Sequence, residues 1–393
     1  MSEFLINPHR TDHPVWMYQP YGAFGQAEVL EFHRSLPGYQ VTPLHALPGM
    51  AAHHGLETVY VKDEGQRFGV KAFKPLGASY SIFRFLKEQY RQKSGEELGV
   101  KDFLKPEVMD KLGSFTFCAA TDGNHGRAVA WTARQLRQKA VIYMPLNTVE
   151  SRIENIRSEG AEVRLIDGTF DECVIECDRD AAKNHWQVIA DTAYPGYMEL
   201  PDFIMAGYST IFHEMEGIIH HVSHTDVDLI IVQAGVGGLA AAACWYYRSH
   251  YAEKSPRIII VEPVRADSFL ESAKAGEPRD SRGDYQSIMA GLNCGVSLVA
   301  FPFIRDAADA FIAVEDIFAE QAMREYFMPA GSDPRIISGE SGASGLAGLL
   351  ALMHDDSLEP LRKYLGVGKN TRVLLINTEA DTDPYNFQRI IAS

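Results

Sequence analysis

The sequence has few cysteines, no excess of positive charge and no long apolar run, and each absence excludes a class of protein. Its 393 residues include five cysteines at scattered positions, an odd number that indicates reduced thiols rather than a disulfide framework. The formal net charge is −15, whereas nucleic-acid binding relies on positive charge. No stretch approaches the roughly 18 uninterrupted apolar residues of a membrane-spanning helix. We therefore expect neither a nucleic-acid partner nor membrane insertion.

The N-terminal segment reads MSEFLINPHRTDHP and lacks a basic stretch followed by an apolar one, so we expect a cytoplasmic protein. Hydrophobic residues make up 46% of the chain and charged residues 23%, as in an ordinary soluble enzyme with a large core. The chain is longer than the roughly 250 to 300 residues at which single cores stop growing, which predicts about two domains.

Short apolar runs alternate with helical patterns along the chain. The runs are continuous, as parallel strands covered on both faces require, so the pattern predicts an α/β fold with parallel sheets. The strand-like runs span residues 58–61, 115–119, 141–144, 229–232, 258–261 and 373–376. Helical patterns span 78–92, 126–137 and 239–250, and the polar segments around 93–110 and 277–284 are predicted to be loops or surface insertions.

Two groups of residues carry metal-binding side chains, and we expect no metal at either. Cys173 and Cys177 lie one helical turn apart, but no second pair or histidine stands at a suitable spacing, so a helix face explains them. The second group precedes the run at 229–232, where a polar connecting loop explains it equally well. It comprises His220, His221, His224, Asp226 and Asp228.

Lys74 is the first candidate for chemistry, because it stands in an apolar setting before a helical pattern. Its neighbours are Phe73, Pro75 and Leu76. Apolar surroundings favour the neutral amine, which is the nucleophilic form that Schiff-base formation requires. The alternative is a surface lysine whose stem packs on apolar neighbours.

A second segment, Thr121-Asp-Gly-Asn-His-Gly, joins the run at 115–119 to the helical pattern at 126–137. Small and capping residues at such a junction can aim backbone donors at a carboxylate or a ring oxygen, because helix N-termini bind anions. The alternative is that Asp122 or Asn124 only caps the helix.

A third segment, Ala234-Gly-Val-Gly-Gly-Leu-Ala-Ala, joins the run at 229–232 to an alanine-rich helix. Glycines there let backbone amides approach a phosphate at the helix N-terminus. The segment lacks the lysine of a Walker loop, and Ala240 replaces the last glycine of the dinucleotide fingerprint. It predicts that the phosphate belongs to another ligand, and a tight turn is the alternative.

In this order, a lysine, an Asn-His loop and a glycine loop resemble the landmarks of the fold-type II pyridoxal phosphate enzymes, the tryptophan synthase β family. Three further segments agree, namely Thr42-Pro-Leu, Val261-Glu-Pro and Ser341-Gly-Ala. The resemblance implies two open, twisted, mostly parallel sheets, each flanked by helices. It also implies a homodimer, a large cofactor-binding domain of residues 1–85 and 195–393, and a small domain of residues 86–194.

Within that group, longer matches resemble the diaminopropionate ammonia-lyases. They are Arg67-Phe-Gly with Ala72-Phe-Lys, Thr121-Asp-Gly-Asn-His-Gly-Arg, Asp191-Thr-Ala with Gly196-Tyr, Gln233-Ala-Gly-Val-Gly, Asp333-Pro-Arg-Ile-Ile-Ser-Gly-Glu-Ser-Gly-Ala, and Thr378-Glu with Asp381-Thr-Asp. The resemblance implies a lyase that eliminates ammonia from D- and L-2,3-diaminopropionate and releases aminoacrylate, which hydrolyses to pyruvate and ammonia.

The same resemblance implies how pyridoxal 5′-phosphate is held. Lys74 would form its Schiff base beside Phe73, and Asn124 would bond its 3′ oxygen. Thr378 is the candidate hydroxyl opposite the pyridine nitrogen, and Asn377 is the alternative. A neutral ring suits β-elimination, which needs less of an electron sink. The phosphate would be bound by the loop of Gly235, Val236, Gly237, Gly238 and Leu239.

Asp122 implies that the substrate carries a second amine. Related serine and threonine dehydratases usually have a serine here, between Thr121 and Gly123, where backbone amides are expected to hold the substrate carboxylate. A negative charge repels that carboxylate unless an ammonium on the β-carbon compensates. We therefore expect Thr121, Asp122, Gly123 and Asp191 to bind the substrate.

The resemblance also implies two bases on opposite faces of the cofactor. Asp122 would take the α-proton of the D isomer and Lys74 that of the L isomer, while Asp191 would orient the ammonium. The alternative for Asp191 is a loop aspartate in a turn with Pro195 and Gly196. Glu340 replaces a proline common in the wider group, and the resemblance gives it no role.

Three other functions are alternatives. A serine, threonine or hydroxyaspartate dehydratase of the same fold is the nearest, and Asp122 argues against it. A β-replacement amino acid synthase would add a nucleophile to aminoacrylate. A noncatalytic amino acid sensor would have little need of Lys74.

Overall fold

The structure is a computed structural model that describes residues 2–17, 28–121, 123–218 and 227–393. Its strands are β1 (Glu3–Ile6), β2 (Leu44–Ala46), β3 (Thr58–Asp63), β4 (Thr116–Ala120), β5 (Lys139–Pro145), β6 (Glu162–Ile166), β7 (Gln187–Val188), β8 (Leu229–Gln233), β9 (Arg257–Pro263), β10 (Ala310–Val314) and β11 (Arg372–Asn377). Its helices are α1 (Glu28–Ser35), α2 (Pro48–His54), α3 (Lys74–Ser94), α4 (Pro106–Leu112), α5 (Asn124–Gln135), α6 (Glu150–Arg157), α7 (Phe170–Asn184), α8 (Glu199–Gly207), α9 (Ser209–Ile218), α10 (Gly238–Tyr251), α11 (Ser268–Ala275), α12 (Phe301–Ala307), α13 (Asp316–Phe327), α14 (Ser344–His354), α15 (Glu359–Leu365) and α16 (Pro384–Ile391). Of these helices, none is both long and apolar enough to cross a membrane.

Two compact units divide the chain. The larger contains Val41–Gln66 and Ile211–Ser393 together with residues 2–17, and the smaller contains Arg67–Thr210 together with residues 28–40. Lys74 lies in the smaller unit. The domain boundaries implied by the resemblance, 1–85 with 195–393 and 86–194, stay a prediction.

Each unit contains one sheet. The larger has seven strands in the order β1-β10-β9-β8-β11-β3-β2, and only the two edge strands pair antiparallel. The smaller has four parallel strands in the order β6-β5-β4-β7. Helices separate the parallel strands along the chain, as crossover connections require. The predicted α/β class with two mostly parallel sheets is confirmed.

Each of the six predicted strand runs overlaps a strand, and each of the three helical patterns overlaps a helix. The segment around 93–110, predicted to be a loop or a surface insertion, is not a loop throughout: α3 continues to Ser94, and α4 begins at Pro106, a residue that is well tolerated in a first helical turn. The strand β3 continues past its apolar run to Lys62 and Asp63. Both are buried because Lys62 Nζ contacts Glu214 Oε2 at 2.6 Å and Asn377 Nδ2 donates to Asp63 Oδ1 at 2.7 Å.

The larger sheet places two of the singled-out segments at one edge. The adjacent parallel strands β8 and β11 end at Gln233 and Asn377, and their carboxyl ends lead into the glycine loop and to Thr378. Ligands of open α/β sheets bind outside the carboxyl ends of the strands. The topology of this unit therefore brings the predicted phosphate loop and the predicted hydroxyl to the same edge.

Candidate active site

Lys74 is the first residue of α3, in a turn made rigid by Pro75 and packed against a tyrosine. The Phe73 ring lies 4.7 Å from the Tyr208 ring, centroid to centroid, and a Cβ on Gly77 would lie 2.7 Å from that tyrosine. Glycine therefore lets α3 approach closely and fixes the position of the lysine. The positive end of the helix dipole disfavours an ammonium here, which favours the nucleophilic amine.

A carboxylate opposes that effect. Lys74 Nζ lies 2.6 Å from Asp191 Oδ2, in the loop after β7, and the two side chains are 17% and 19% exposed. Burial alone would raise the pKa of Asp191, but the charge that His125 carries in the acid range where Asp191 titrates, the charge of Lys74 and the hydrogen bond from Nζ hold it well below the ordinary value. Asp191 is therefore ionised. Because it pairs with Lys74, its place in a turn does not fully account for it.

His125 presents a buried acceptor beside this pair. Its Nε2 lies 2.7 Å from the carbonyl oxygen of Ile189, which assigns the proton of the neutral ring to Nε2. Its Nδ1 lies 3.7 Å from Asp191 Oδ2 and has no hydrogen-bond partner among the described residues. Burial lowers the pKa of His125, so the ring is neutral at neutral pH. The sequence indicates His125 only as part of the Asn-His motif.

Asp191→Asn is expected to destabilise the cofactor-free protein by about 2 kcal/mol at neutral pH, because a hydrogen-bonded ion pair is lost. The folded pKa of Asp191 lies below its ordinary 3.8, so the stabilisation is complete above that value and is lost as the pH falls below it. In urea unfolding, the free energy of unfolding of wild type should therefore exceed that of the variant by a constant amount from about pH 7 to about pH 5. Below about pH 4 this difference should shrink. A difference independent of pH down to acid unfolding would contradict the ion pair.

The loop before α5 is organised by one hydroxyl. Thr121 Oγ1 accepts hydrogen bonds from Gly123 N at 3.0 Å and from Gly126 N at 3.1 Å. The residue before α5 is Gly123, without a side-chain cap, so Asn124 does not cap the helix but begins it. Asp122 lies outside the described residues. The proposed contacts of Thr121, Gly123 and Asn124 with ligands stay predictions.

In the larger unit, the glycine loop lies between β8 and α10. Gly237 has φ 95°, and a Cβ on it would lie 2.2 Å from the Phe269 ring. A Cβ on Gly235 would lie 2.7 Å from the carbonyl oxygen of Gly291. Glycine is therefore required at both positions, and the loop leads to the N-terminus of a helix of 14 residues, whose first amide hydrogens have no partner within the helix.

Gly237→Ala is expected to lower the free energy of unfolding by about 3 kcal/mol, because the left-handed backbone and the overlap with Phe269 each cost energy. Gly366 is a matched control: its φ is 68°, but a Cβ there meets nothing within 4 Å. Gly366→Ala should cost only about 1 kcal/mol. Thermal unfolding and the cofactor dissociation constant of both variants check this, and equal effects would contradict it.

Thr378 lies at the end of β11, in contact with a glutamine. Gln233 Nε2 lies 3.1 Å from Thr378 Oγ1 and 3.1 Å from the carbonyl oxygens of Ser341 and Ile376, so its two hydrogens are shared among these acceptors. The hydroxyl of Thr378 therefore keeps its hydrogen available for another acceptor, apart from a long 3.5 Å contact with Ser341 O. Gln233 thus supports Thr378, a role that the sequence does not indicate beyond its place in the motif Gln233-Ala-Gly-Val-Gly.

Asn377, the alternative to Thr378, is fully buried and its side chain is used within the larger unit. Its Nδ2 donates to Asp63 Oδ1 at 2.7 Å and to Ile337 O at 3.0 Å, and its Oδ1 accepts from Ser338 Oγ at 2.7 Å. This supports Thr378, although the assignment stays a prediction. Glu340 accepts a short hydrogen bond from Asn386 Nδ2 and so anchors α16.

Of the two groups with metal-binding side chains, the cysteine pair lies wholly within the described residues and the histidine and aspartate group lies mostly outside them. Cys173 and Cys177 lie on α7, as expected of a helix face, and are buried; hydrogen bonding with Cys118 and burial raise the pKa of Cys177, which keeps the thiol protonated. In the second group, Asp228 pairs with Arg372 at 3.0 Å. The remaining members, His220, His221, His224 and Asp226, lie outside the described residues.

The sheets, the helix-borne lysine and the glycine loop define a class of enzyme. The chain belongs to the pyridoxal-phosphate dependent enzyme family, whose model matches residues 36–367. The structure of threonine deaminase isoform 2 from Solanum lycopersicum, at 21% identity and a TM-score of 0.72, covers 99% of this chain and 91% of its own and shares the fold. The predicted family and its cofactor are confirmed.

Within that family, the chain is similar to particular enzymes over its whole length. It is 40% identical over 368 residues to the diaminopropionate ammonia-lyase of Salmonella typhimurium, with 93% of this chain and 91% of the relative covered. Identity with the Escherichia coli enzyme is 37% over 395 residues, with 100% and 98% covered. The structure of that enzyme in complex with an aminoacrylate-PLP azomethine reaction intermediate has a TM-score of 0.87 at 35% identity, and covers 100% of this chain and 97% of its own.

The residues of each unit fit their expected parts of the cofactor. In the smaller unit, two nitrogens lie near Asp191 Oδ2: the amine Lys74 Nζ, and the buried acceptor His125 Nδ1, which lacks a hydrogen-bond partner among the described residues. In the larger unit, Gly235 and Gly237 leave no room for side chains before a helix N-terminus, which suits a phosphate.

Proposed function

We propose that this chain eliminates ammonia from the D and L isomers of 2,3-diaminopropionate and forms pyruvate. Its similarity to diaminopropionate ammonia-lyases over nearly their full length supports the substrate. The observation that carries the proposal is the 2.6 Å contact of Lys74 Nζ with the ionised Asp191, because an amine suited to the cofactor lies beside a carboxylate suited to an ammonium.

Pyridoxal phosphate supplies, when bound, the electron sink that makes the substrate α-proton acidic. Lys74 would hold it covalently beside Phe73, and Asn124 would bond its ring oxygen. Thr378 would face the pyridine nitrogen. The phosphate would accept hydrogen bonds from the loop of Gly235, Val236, Gly237, Gly238 and Leu239.

Charge balance at Asp191 explains the preference for a second amine. When Lys74 is bound covalently to the cofactor, Asp191 no longer has a free lysine ammonium as its partner. A substrate ammonium on the β-carbon would restore that ion pair, whereas the hydroxyl of serine would not. Asp191 would thereby orient the group that leaves, and Asp122 would add to the selection by charge.

Two bases would serve the two isomers. The amine of Lys74 would take the α-proton of the L isomer. Asp122 would take that of the D isomer from the other face. The β-amine then leaves as ammonia, and hydrolysis of the released aminoacrylate gives pyruvate and a second ammonia.

One experiment tests the cofactor and the substrate separately. The purified protein is scanned for the Schiff-base absorbance band, and pyruvate is then assayed with D-diaminopropionate, L-diaminopropionate and serine. We expect the band, and pyruvate from both diamino acids. Absence of the band would refute the Schiff-base role of Lys74, and pyruvate from serine alone would refute the substrate. Added thiol or indole, with product analysis, tests for a synthase activity.

We also propose a cytoplasmic homodimer without nucleic-acid or membrane partners. The net charge of −15 supports the absence of a nucleic-acid partner. Light scattering of the purified protein tests the dimer, and a mass of one chain would contradict it.

A further inference from the structure

One cluster of ligating side chains lies apart from the residues assigned to the cofactor and substrate. His213 and Glu216 are three positions apart on α9 and so share a face, and His250 lies in the last turn of α10. One ligand atom from each of the three lies within 4.8 Å of the others.

We propose that His213, Glu216 and His250 bind one divalent transition-metal ion of the Zn²⁺ class. Two imidazoles and a carboxylate are ligands that zinc accepts, at about 2.0–2.2 Å, which places neighbouring ligands of a tetrahedral site roughly 3.4 Å apart. The distance from His213 Nδ1 to Glu216 Oε1 is 3.7 Å. All three ligand atoms lie within 4.8 Å of one another, and the partial exposure of the side chains leaves room for the rotations that would close them on an ion.

Tyr246 holds two of the three ligands in place. His250 Nδ1 lies 2.8 Å from the carbonyl oxygen of Tyr246, so Nδ1 carries the proton and Nε2 keeps the lone pair that a metal needs. The hydroxyl of Tyr246 donates a short hydrogen bond to Glu216 Oε1, and its buried ring stacks on His250 at 4.5 Å between centroids. Hydrogen bonds that fix the tautomer of a ligating histidine and the orientation of a ligating carboxylate are typical of metal sites in proteins.

The local charges favour a cation. Glu216 and His250 both lie near the C-terminal ends of their helices, where the helix dipole is negative. Because Glu216 and His250 are exposed, water can occupy the fourth position of the ion.

The holoenzyme, freed of metals with a chelator, is titrated with Zn²⁺, and zinc per chain is measured after dialysis. Wild type should bind one ion. His250→Ala and Glu216→Gln should weaken binding at least about 100-fold, and Tyr246→Phe, which keeps the packed ring, about tenfold. Bound Co²⁺ should show the visible absorption of a tetrahedral site in wild type and not in His250→Ala.

His354→Ala is the matched control. In its cluster, His354 Nε2 lies 2.8 Å from His54 Nδ1, and His54 Nε2 lies 2.9 Å from Glu325 Oε2, so these nitrogens are used in hydrogen bonds and zinc affinity should not change. A variant with alanine at His220, His221 and His224 tests the histidines that follow α9 in the sequence. The proposal is overturned if wild type binds no zinc, if His250→Ala binds as tightly, or if only the triple variant loses the ion.

Discussion

Replacing Lys74 with alanine is expected to abolish the absorbance band of the covalently bound cofactor and to lower kcat for both isomers at least about 10³-fold. The loss exceeds that of a binding residue because the amine both holds the cofactor and serves as a base. The spectrum of the purified variant and a pyruvate assay with each isomer are the measurements.

Lys74→Arg separates the chemistry from the ion pair. The guanidinium keeps a positive charge toward Asp191 but stays protonated, so it cannot form the covalent link. We expect this variant to be as inactive as Lys74→Ala, while the cofactor-free protein keeps more of its thermal stability than the alanine variant. Substantial turnover by either variant would remove Lys74 from its assigned role.

The central strands were predictable because burial on both faces leaves a local signal. Strands such as β8 and β9 are apolar over most of their length and buried on both faces. The edge strand β1 gives no such signal: it is short, half-exposed, and exists because it pairs antiparallel with β10, more than 300 residues away. Its formation depends on tertiary pairing, which a local pattern does not encode.

The glycine loop was predictable for the same reason that Gly237 resists substitution. A left-handed backbone and a ring within 2.2 Å of a Cβ leave only one residue type, and that restriction is visible in the sequence. The contact between Lys74 and Asp191 was not predictable from pattern, because 117 residues separate them and a lone aspartate near proline and glycine equally suits a turn.

The choice between Thr378 and Asn377 depends on hydrogen bonds that only the three-dimensional structure shows. Asn377 is the last residue of β11 and Thr378 follows it, so a shift of one residue in matching the sequence to the family exchanges them. The side-chain amide of Asn377 is already hydrogen-bonded to Asp63, Ile337 and Ser338. Hydrogen bonding also draws attention to His125, because its Nδ1 is a buried acceptor without a partner among the residues described.

The second large effect concerns stereochemistry. Asp122→Asn is expected to lower kcat for D-diaminopropionate by about 10² to 10⁴, the usual worth of a general base, and to lower that for the L isomer by less than about tenfold. An amide cannot accept the α-proton, but it keeps the size of the side chain. Initial rates of pyruvate formation with each isomer give the ratio.

Asp191→Asn is the matched comparison, since the same change of charge is made at a carboxylate that would orient the β-ammonium of either isomer. Asp191→Asn should therefore impair turnover of both isomers to a similar degree and raise KM. Asp122→Asn should instead lower kcat mainly for the D isomer. If Asp122→Asn slowed both isomers equally, proton removal from opposite faces would be refuted and Asp122 would act only through its charge. If it also raised turnover of serine relative to diaminopropionate, selection of the second amine by that charge would be supported, because removal of the carboxylate lifts the repulsion that disfavours a substrate with one amine.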